Sequence, residues 1–284
     1  MKDKLIVITG ANAGIGKETT HRLAKLGAHI VMVCRNEKKG KKTLEEIKGQ
    51  SGNNNLELML CDFSSLKSIN DFVKSFKKKY DKIEVLLNNH GAVFLKKTMT
   101  EDGFESTFAV NHLGYFSLTL QLLDLIRASD NSRIVNVASS SNYRVKKLEI
   151  DDYNWERRKY KLMTAYAESK IYNIMFTFLL AEKLEGTGVS ANCLHPGYIR
   201  TGLGINNILL KPLNPIVKRK AKPLEEGAET SVYLTSSPEV ENVTGKYYHI
   251  MKEREPNKLA FDKKKQIELW DLSLKLTSLP SDLI

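Results

Sequence analysis

At 284 residues the chain is long enough to bury a large core, and its 42% hydrophobic and 27% charged residues exclude a disordered chain. The net charge of +11 comes mostly from dispersed lysines with no aromatic-rich nucleic-acid motif beside them, which excludes nucleic acid as the expected partner. The excess reads as solvated helix faces and helix C-termini, with attraction of an anionic cofactor or membrane surface as the sharper alternative.

No run nears the roughly 20 apolar residues of a membrane span. Strand residues begin at Leu5, which leaves no room for a secretory leader. Cys34, Cys61 and Cys193 form no CxxC pair, and the six histidines show no ligand spacing. A disulfide framework and a metal site are therefore not expected, and the compartment reads as reducing and cytoplasmic.

Residues 5–9 are a short apolar run that stops at a glycine cluster, and helical periodicity follows over 16–26. Residues 29–33 read as a second buried strand, after which Asn36 is placed to cap a Lys/Glu-rich helix ending near Gly49. Further strands are expected at 56–60, 83–87, 133–137, 189–194 and 245–250, and helices at 66–80, 104–128, 165–184 and 223–235. Such alternation predicts an α/β fold, a doubly wound parallel sheet flanked by helices on both faces. No linker interrupts it, so residues 1–284 read as one domain.

Two stretches break the rhythm. Residues 140–164 are a polar and aromatic insertion, and 198–222 mix apolar and basic residues. Long loops in a compact domain are commonly functional. The first is expected to wall the site, and the second to close over it as a lid or else to touch a membrane surface.

The turn between the first strand and first helix is Thr9-Gly10-Ala11-Asn12-Ala13-Gly14-Ile15-Gly16. Glycines there admit a pyrophosphate close to the backbone, and the helix N-terminus supplies N–H groups and positive dipole. The second strand ends at Cys34, followed by Arg35, where an NAD-binding chain carries an acid for the ribose hydroxyl. A guanidinium cannot accept from a hydroxyl but pairs well with a 2′-phosphate, so NADP(H) is expected. Tyr166 and Lys170 are four apart in a helical stretch and project from one face. A tyrosine with the ordinary pKa of about 10 is a poor acid–base near neutrality, and a nearby ammonium is expected to lower it.

Together these features resemble the short-chain dehydrogenase/reductase family. The glycine spacing is the family's TGxxxGxG. Asn88-Asn89-His90-Gly91 resembles its NNAG motif, with His90 where alanine is usual. Asn111 matches its helix asparagine, Ser139 its catalytic serine, Tyr166 and Lys170 its YxxxK, and Pro196-Gly197 with Thr201 its nicotinamide segment. The likeness covers about residues 4–250.

It implies a Rossmann-like fold and a catalytic group of Asn111, Ser139, Tyr166 and Lys170. Tyr166 would give its proton to a carbonyl oxygen while NADPH gives hydride to the carbon. Lys170 would bond the nicotinamide ribose, Ser139 would polarise the substrate oxygen, and Asn111 would support a relay water. The implied cofactor positions are Gly10, Asn12, Ala13, Gly14, Ile15, Gly16, Arg35, Asn36, Asp62, Phe63, Asn89, His90, Gly91, Tyr166, Lys170, Pro196, Gly197, Ile199 and Thr201. Asp62 would contact the adenine amino group; from the residues alone it reads as an N-cap for the helix beginning at Ser64-Ser65, and the two roles are compatible.

Within the family the chain is similar to the retinol-dehydrogenase-like branch. The features carrying that likeness are Gly10-Ala11-Asn12, Cys34-Arg35, Val110-Asn111-His112-Leu113-Gly114, Leu269-Trp270-Asp271-Leu272-Ser273 and the long insertion. It implies a lipophilic carbonyl or alcohol substrate. A reductase of small polar carbonyls and a non-catalytic NADP-binding sensor or scaffold are the alternatives. Several members carry an N-terminal anchor, whereas this chain starts at its first strand; at most peripheral membrane contact is expected. The helices around 115–126 and 171–184 are apolar nearly all round, as in the family's four-helix dimer seam. A homodimer is expected from that, with burial inside a single chain as the alternative.

Overall fold

The computed structural model describes residues 1–197, Ile199 and 223–284. The rest of the expected lid, including Thr201, lies outside the described residues. The first half alternates strictly: β1 (Leu5–Thr9), α1 (Gly14–Lys25), β2 (His29–Cys34), α2 (Glu37–Ser51), β3 (Leu56–Leu60), α3 (Leu66–Lys77) and β4 (Val85–Asn88). The helical stretch after β4 comprises α4 (Ser106–Phe108), a π-helical turn (Ala109–Leu113), α5 (Gly114–Gln121) and α6 (Leu123–Arg127). Then come β5 (Arg133–Val137), α7 (Leu162–Lys183), β6 (Ser190–Leu194), α8 (Leu224–Ser236), β7 (Tyr247–His249), β8 (Lys252–Arg254) and α9 (Lys263–Thr277).

The sheet runs β3-β2-β1-β4-β5-β6-β7-β8, parallel except for the last pair. Alternate residues of each strand face opposite layers. Ile6, Ile8, Ile30 and Met32 meet Leu23, Ala24 and Ile47 of α1 and α2, and Leu234 of α8. Val7, Val31 and Val33 meet Ile69, Phe72 and Phe76 of α3, with Phe116 and Phe176 of α5 and α7 in the same cluster. This is the doubly wound, Rossmann-like fold. Strand order reverses between β1 and β4, and ligands of such sheets bind at the carboxyl ends there.

Several boundaries differ from the sequence reading for identifiable reasons. Ile83 donates its N–H to Leu125 O of α6 at 2.9 Å and not to a neighbouring strand, so the strand starts two residues later than expected. Helix α2 passes the exposed Gly49 and stops at Gly52, which takes a left-handed φ of 69°. The single helix expected over 104–128 begins instead where the buried Glu105 carboxylate accepts from Thr107 N (2.9 Å) and Phe108 N (3.0 Å), and the π turn divides it. Helix α3 is capped by Ser65, which accepts from Ser68 N at 3.3 Å, so capping is not the role of Asp62.

Strand β8 and helix α9 were not expected from the sequence. Helix α9 lies over α7 and α5. Trp270 stacks on Phe176 (5.9 Å between centroids) and meets Phe116 edge-on (5.1 Å), while Ser273 hydrogen-bonds His112 Nε2 at 2.9 Å. Much of the apolar character of α5 and α7 is thus satisfied within one chain: 15 of the 22 residues of α7 are buried.

Candidate active site

The β1–α1 turn is shaped by what a side chain would hit. Gly10 and Gly14 take φ of 66° and 55°, open only to glycine without strain. A Cβ on Gly16 would lie 2.4 Å from the Gly10 carbonyl oxygen, and one on Gly10 would lie 2.9 Å from His90 Cα. Asn89 braces the turn from behind, its Nδ2 donating to Thr9 O at 2.9 Å. Ala13 offers α1 no side-chain cap, and the first turn holds no acidic group. The helix end is therefore left to an anion. Asn12 and Gly14 are half-buried, Ala13 exposed and Ile15 buried; the Asn12 carbonyl accepts from Thr43 Oγ1 at 3.2 Å.

At the end of β2, the Arg35 side chain is 73% exposed, and its ion pair with Asp62 is a loose 3.6 Å. Such a pair holds the guanidinium weakly and leaves its donors to an incoming phosphate. Asn36 caps α2, accepting from Lys39 N at 2.9 Å. Asp62 accepts from Ser64 N (3.0 Å) and Ser64 Oγ (2.7 Å), and Phe63 is buried behind it. The donor set and the glycine cradle fit a dinucleotide with a 2′-phosphate.

The catalytic candidates gather where β5 ends. Ser139, two residues past Val137, is half-buried, and its Oγ accepts from Ser141 N at 3.2 Å. Tyr166 and Lys170 reach the same place from α7. The Lys170 Nζ is buried, donates to Val137 O at 3.0 Å and lies 5.9 Å from the Tyr166 ring centre. Burial pushes this ammonium down to about 7. Burial also raises the Tyr166 phenol above its ordinary value, with the Ser139 side chain pulling the other way. The expectation that Lys170 lowers the phenol is therefore corrected. Removing both groups from water disfavours both charged forms, so the structure favours a protonated tyrosine beside a lysine that titrates near neutrality.

Asn111 sits in the π turn, a helix defect common at functional sites. Three of its four hydrogen-bonding positions are engaged: Oδ1 accepts from Ala92 N (2.8 Å), and Nδ2 donates to Ala92 O and Ser169 Oγ (both 3.0 Å). Gly91 is close-packed, since a Cβ there would touch Asn111 Oδ1 and Lys170 Nζ at 3.4 Å each. Pro196 and Gly197 are half-buried beyond β6, with Gly197 at φ 91° and its N–H donating to His195 Nδ1 at 3.2 Å. Ile199 turns to α8, within 2.7 Å of where a Gly227 Cβ would stand.

The insertion is pinned down rather than draped free. Arg158 donates to Asp152 Oδ2 (2.8 Å) and to Glu168 Oε1 of α7 (2.7 Å), and its guanidinium lies 4.1 Å from the Trp155 ring centre. Tyr160 hydroxyl meets Thr107 Oγ1 at 3.0 Å, and Tyr153 packs on Phe108 at 5.0 Å. Two of its four aromatics thus buttress the start of the Asn111 helix, and Trp155 packs edge-on behind Tyr160 at 5.4 Å; Tyr143 is exposed and donates to Glu255 O at 2.7 Å. Sequence reasoning missed Arg158, Glu168 and Tyr115. An acidic residue two positions before Lys170 on an apolar helix was the available signal, since a buried carboxylate needs a cation.

A phosphate-accepting turn at the switch point of a doubly wound sheet is the architecture of dinucleotide-dependent oxidoreductases. A family profile described as short chain dehydrogenase matches residues 4–153, and the chain belongs to the short-chain dehydrogenase/reductase family. Retinol dehydrogenase 13 of Homo sapiens is 38% identical over 282 residues, 97% of this chain and 85% of its own length. Retinol dehydrogenase 14 of Homo sapiens is 40% identical over 290 residues, 96% of this chain and 86% of its own. A crystal structure of an uncharacterized protein from Mycobacterium Paratuberculosis aligns with TM-score 0.79 at 28% identity, over 98% of this chain and 94% of that one.

Proposed function

We propose that the chain is an NADP(H)-dependent oxidoreductase interconverting a carbonyl and an alcohol on a lipophilic, retinoid-like substrate. The observation that carries the reading is the meeting of Ser139, Tyr166 and Lys170 at the carboxyl end of β5. When bound, the dinucleotide supplies or accepts the hydride. Tyr166, held protonated by burial, gives its phenolic proton to the carbonyl oxygen. Ser139 donates a hydrogen bond to that oxygen and polarises the carbonyl. Lys170 titrates near neutrality and can restore the proton to Tyr166. Asn111 acts by fixing the Ala92 backbone and Ser169 beside this group.

A lipophilic substrate is supported by the likeness to retinol dehydrogenases over nearly the whole chain and by the apolar Ala92-Val93-Phe94-Leu95 stretch, which begins where Asn111 holds the Ala92 backbone. The test is a competition between retinal and small polar carbonyls. Preference for the polar set would overturn this part of the reading.

Arg35 carries the cofactor choice. Arg35→Ala is expected to weaken NADPH binding about 10- to 100-fold and to change NADH binding little, because only NADPH brings a phosphate to the lost guanidinium. Titration with both dinucleotides checks this; equal weakening of the two would remove the 2′-phosphate role.

The chain is also read as a monomer. Helix α9 packs Trp270 on Phe176 of α7, and 15 of the 22 residues of α7 are buried within one chain. Light scattering should return the mass of one chain, 32.2 kDa. Twice that mass would restore the expected homodimer.

A further inference from the structure

His90 stands where the resembling motif has alanine, and it is more connected than a packing residue needs to be. Its ring is buried and lies flat on Phe63, centroids 3.5 Å apart and planes 9° from parallel. Nε2 lies 2.9 Å from the Val110 carbonyl oxygen, and Nδ1 lies 2.8 Å from Thr9 Oγ1. A carbonyl only accepts, so Nε2 carries the proton. The Thr9 hydroxyl accepts from Asn89 N (2.9 Å) and His90 N (3.1 Å); its own proton has two acceptors in reach, Leu87 O at 3.3 Å and Nδ1 at 2.8 Å, and the shorter contact assigns it to Nδ1. One neutral tautomer therefore satisfies these partners. An imidazolium would set a third donor against the Thr9 oxygen and a second cation beside Lys170; burial and the Lys170 charge both push the ring well below its ordinary value.

The His90 backbone is used as well. Its carbonyl accepts from the Tyr115 hydroxyl at 2.7 Å, and the same hydroxyl lies 3.3 Å from Val137 O, the oxygen that holds Lys170 Nζ at 3.0 Å. Room for the ring comes from Gly114, where a Cβ would stand 3.0 Å from Nε2.

We propose that His90 is a positioning residue that ties three cofactor-site segments, Thr9-Gly10, Asp62-Phe63 and Val110-Asn111, to one another and, through Tyr115, to Lys170. The proposal rests on the NADP(H) reading above. It assigns His90 to the support of the site, acting through its neighbours, and gives the departure from alanine a physical meaning.

Two measurements test it. In the first, NADPH is titrated into the full chain and into His90→Phe, which keeps the stack on Phe63 and loses both ring hydrogen bonds. His90→Gln, which keeps a donor for Val110, is titrated beside them. The expected result is binding about tenfold weaker in His90→Phe and partly recovered in His90→Gln, since each buried bond lost leaves a partner unsatisfied. Unchanged affinity in a folded His90→Phe would overturn the proposal. In the second, nitrogen-15 spectra of the unmodified chain without cofactor report the His90 ring at neutral pH. A neutral ring protonated on Nε2 supports the brace, and an imidazolium or an Nδ1-protonated ring overturns it even if no variant folds. If the unmodified chain binds no NADPH, the cofactor reading itself fails, an outcome distinct from both.

Discussion

Tyr166→Phe is expected to cut kcat about a thousandfold, the middle of the range for loss of a positioned general acid. NADPH affinity should stay within about twofold, because an interaction made only in the transition state affects kcat and not binding. The ring is kept, so the packing of α7 is kept. The atom removed is the hydroxyl that faces Ser139. Burial holds that hydroxyl protonated, the state needed to donate to a carbonyl oxygen, and Lys170, titrating at about 7, stands on the same helix face to reload it. Steady-state kinetics with a separate NADPH titration resolve the two parameters. Near-normal kcat would place the acid elsewhere.

Lys170→Met is expected to abolish useful turnover and at the same time to stabilise the fold. The folded pKa of Lys170 is about 7 against an ordinary 10.5, lowered by burial. Below pH 7 both states hold the proton, and the folded state bears the full cost of a buried ammonium. Between these two values the unfolded chain binds a proton that the folded chain does not, so stability rises with pH, and above 10.5 it changes no further on this account. The bond from Nζ to Val137 O returns only about 1 kcal/mol. Methionine fills the same space without the charge. Thermal melts at pH 6 should therefore show Tm higher by roughly 2–6 °C in Lys170→Met. The variant should also lose part of the rise in stability between pH 7 and 10. A lower Tm in the variant would show that the buried lysine is held by more than its one carbonyl.

Much of this arrangement is legible in the residues, and the gaps have physical causes. Strands β1 to β5 are rich in β-branched and aliphatic residues and bounded by glycine or polar turns, and that pattern is enough to place them to within two residues. Asn36 could be read as a cap because capping needs only its own side chain and an N–H three residues on. Strand β8 carries Lys252, Glu253 and Arg254, all exposed; it joins the sheet through its backbone after a turn in which Ile250 and Met251 take φ of 51° and 56°, with a side-chain ion pair between Lys246 and Glu253 at 2.8 Å. Nothing in its composition speaks for a strand. Helix α9 opens with Lys263, Lys264 and Lys265 at its N-terminus, against the dipole preference that had assigned such runs to C-termini and solvated faces. Asp262 offsets this by accepting from Lys265 N at 3.1 Å, and Lys263 pairs with Glu182 of α7.

In the site, order along the chain identified the candidates but not their charge states. The direction of the Tyr166 shift depends on burial, which spacing does not show. His90 was visible as a departure from a motif, yet its partners Thr9 and Val110 lie 81 and 20 residues away. Only the fold brings them to the ring.

The most direct test of the central claim is to follow loss of reduced-nicotinamide absorbance when NADPH meets retinal, other lipophilic aldehydes and ketones, and small polar carbonyls, with Tyr166→Phe in parallel. The account predicts NADPH consumption matched by alcohol formed, fastest on the lipophilic members and lost in the variant. NADPH that binds but is oxidised by no member of the panel, or turnover that survives in Tyr166→Phe, would contradict it.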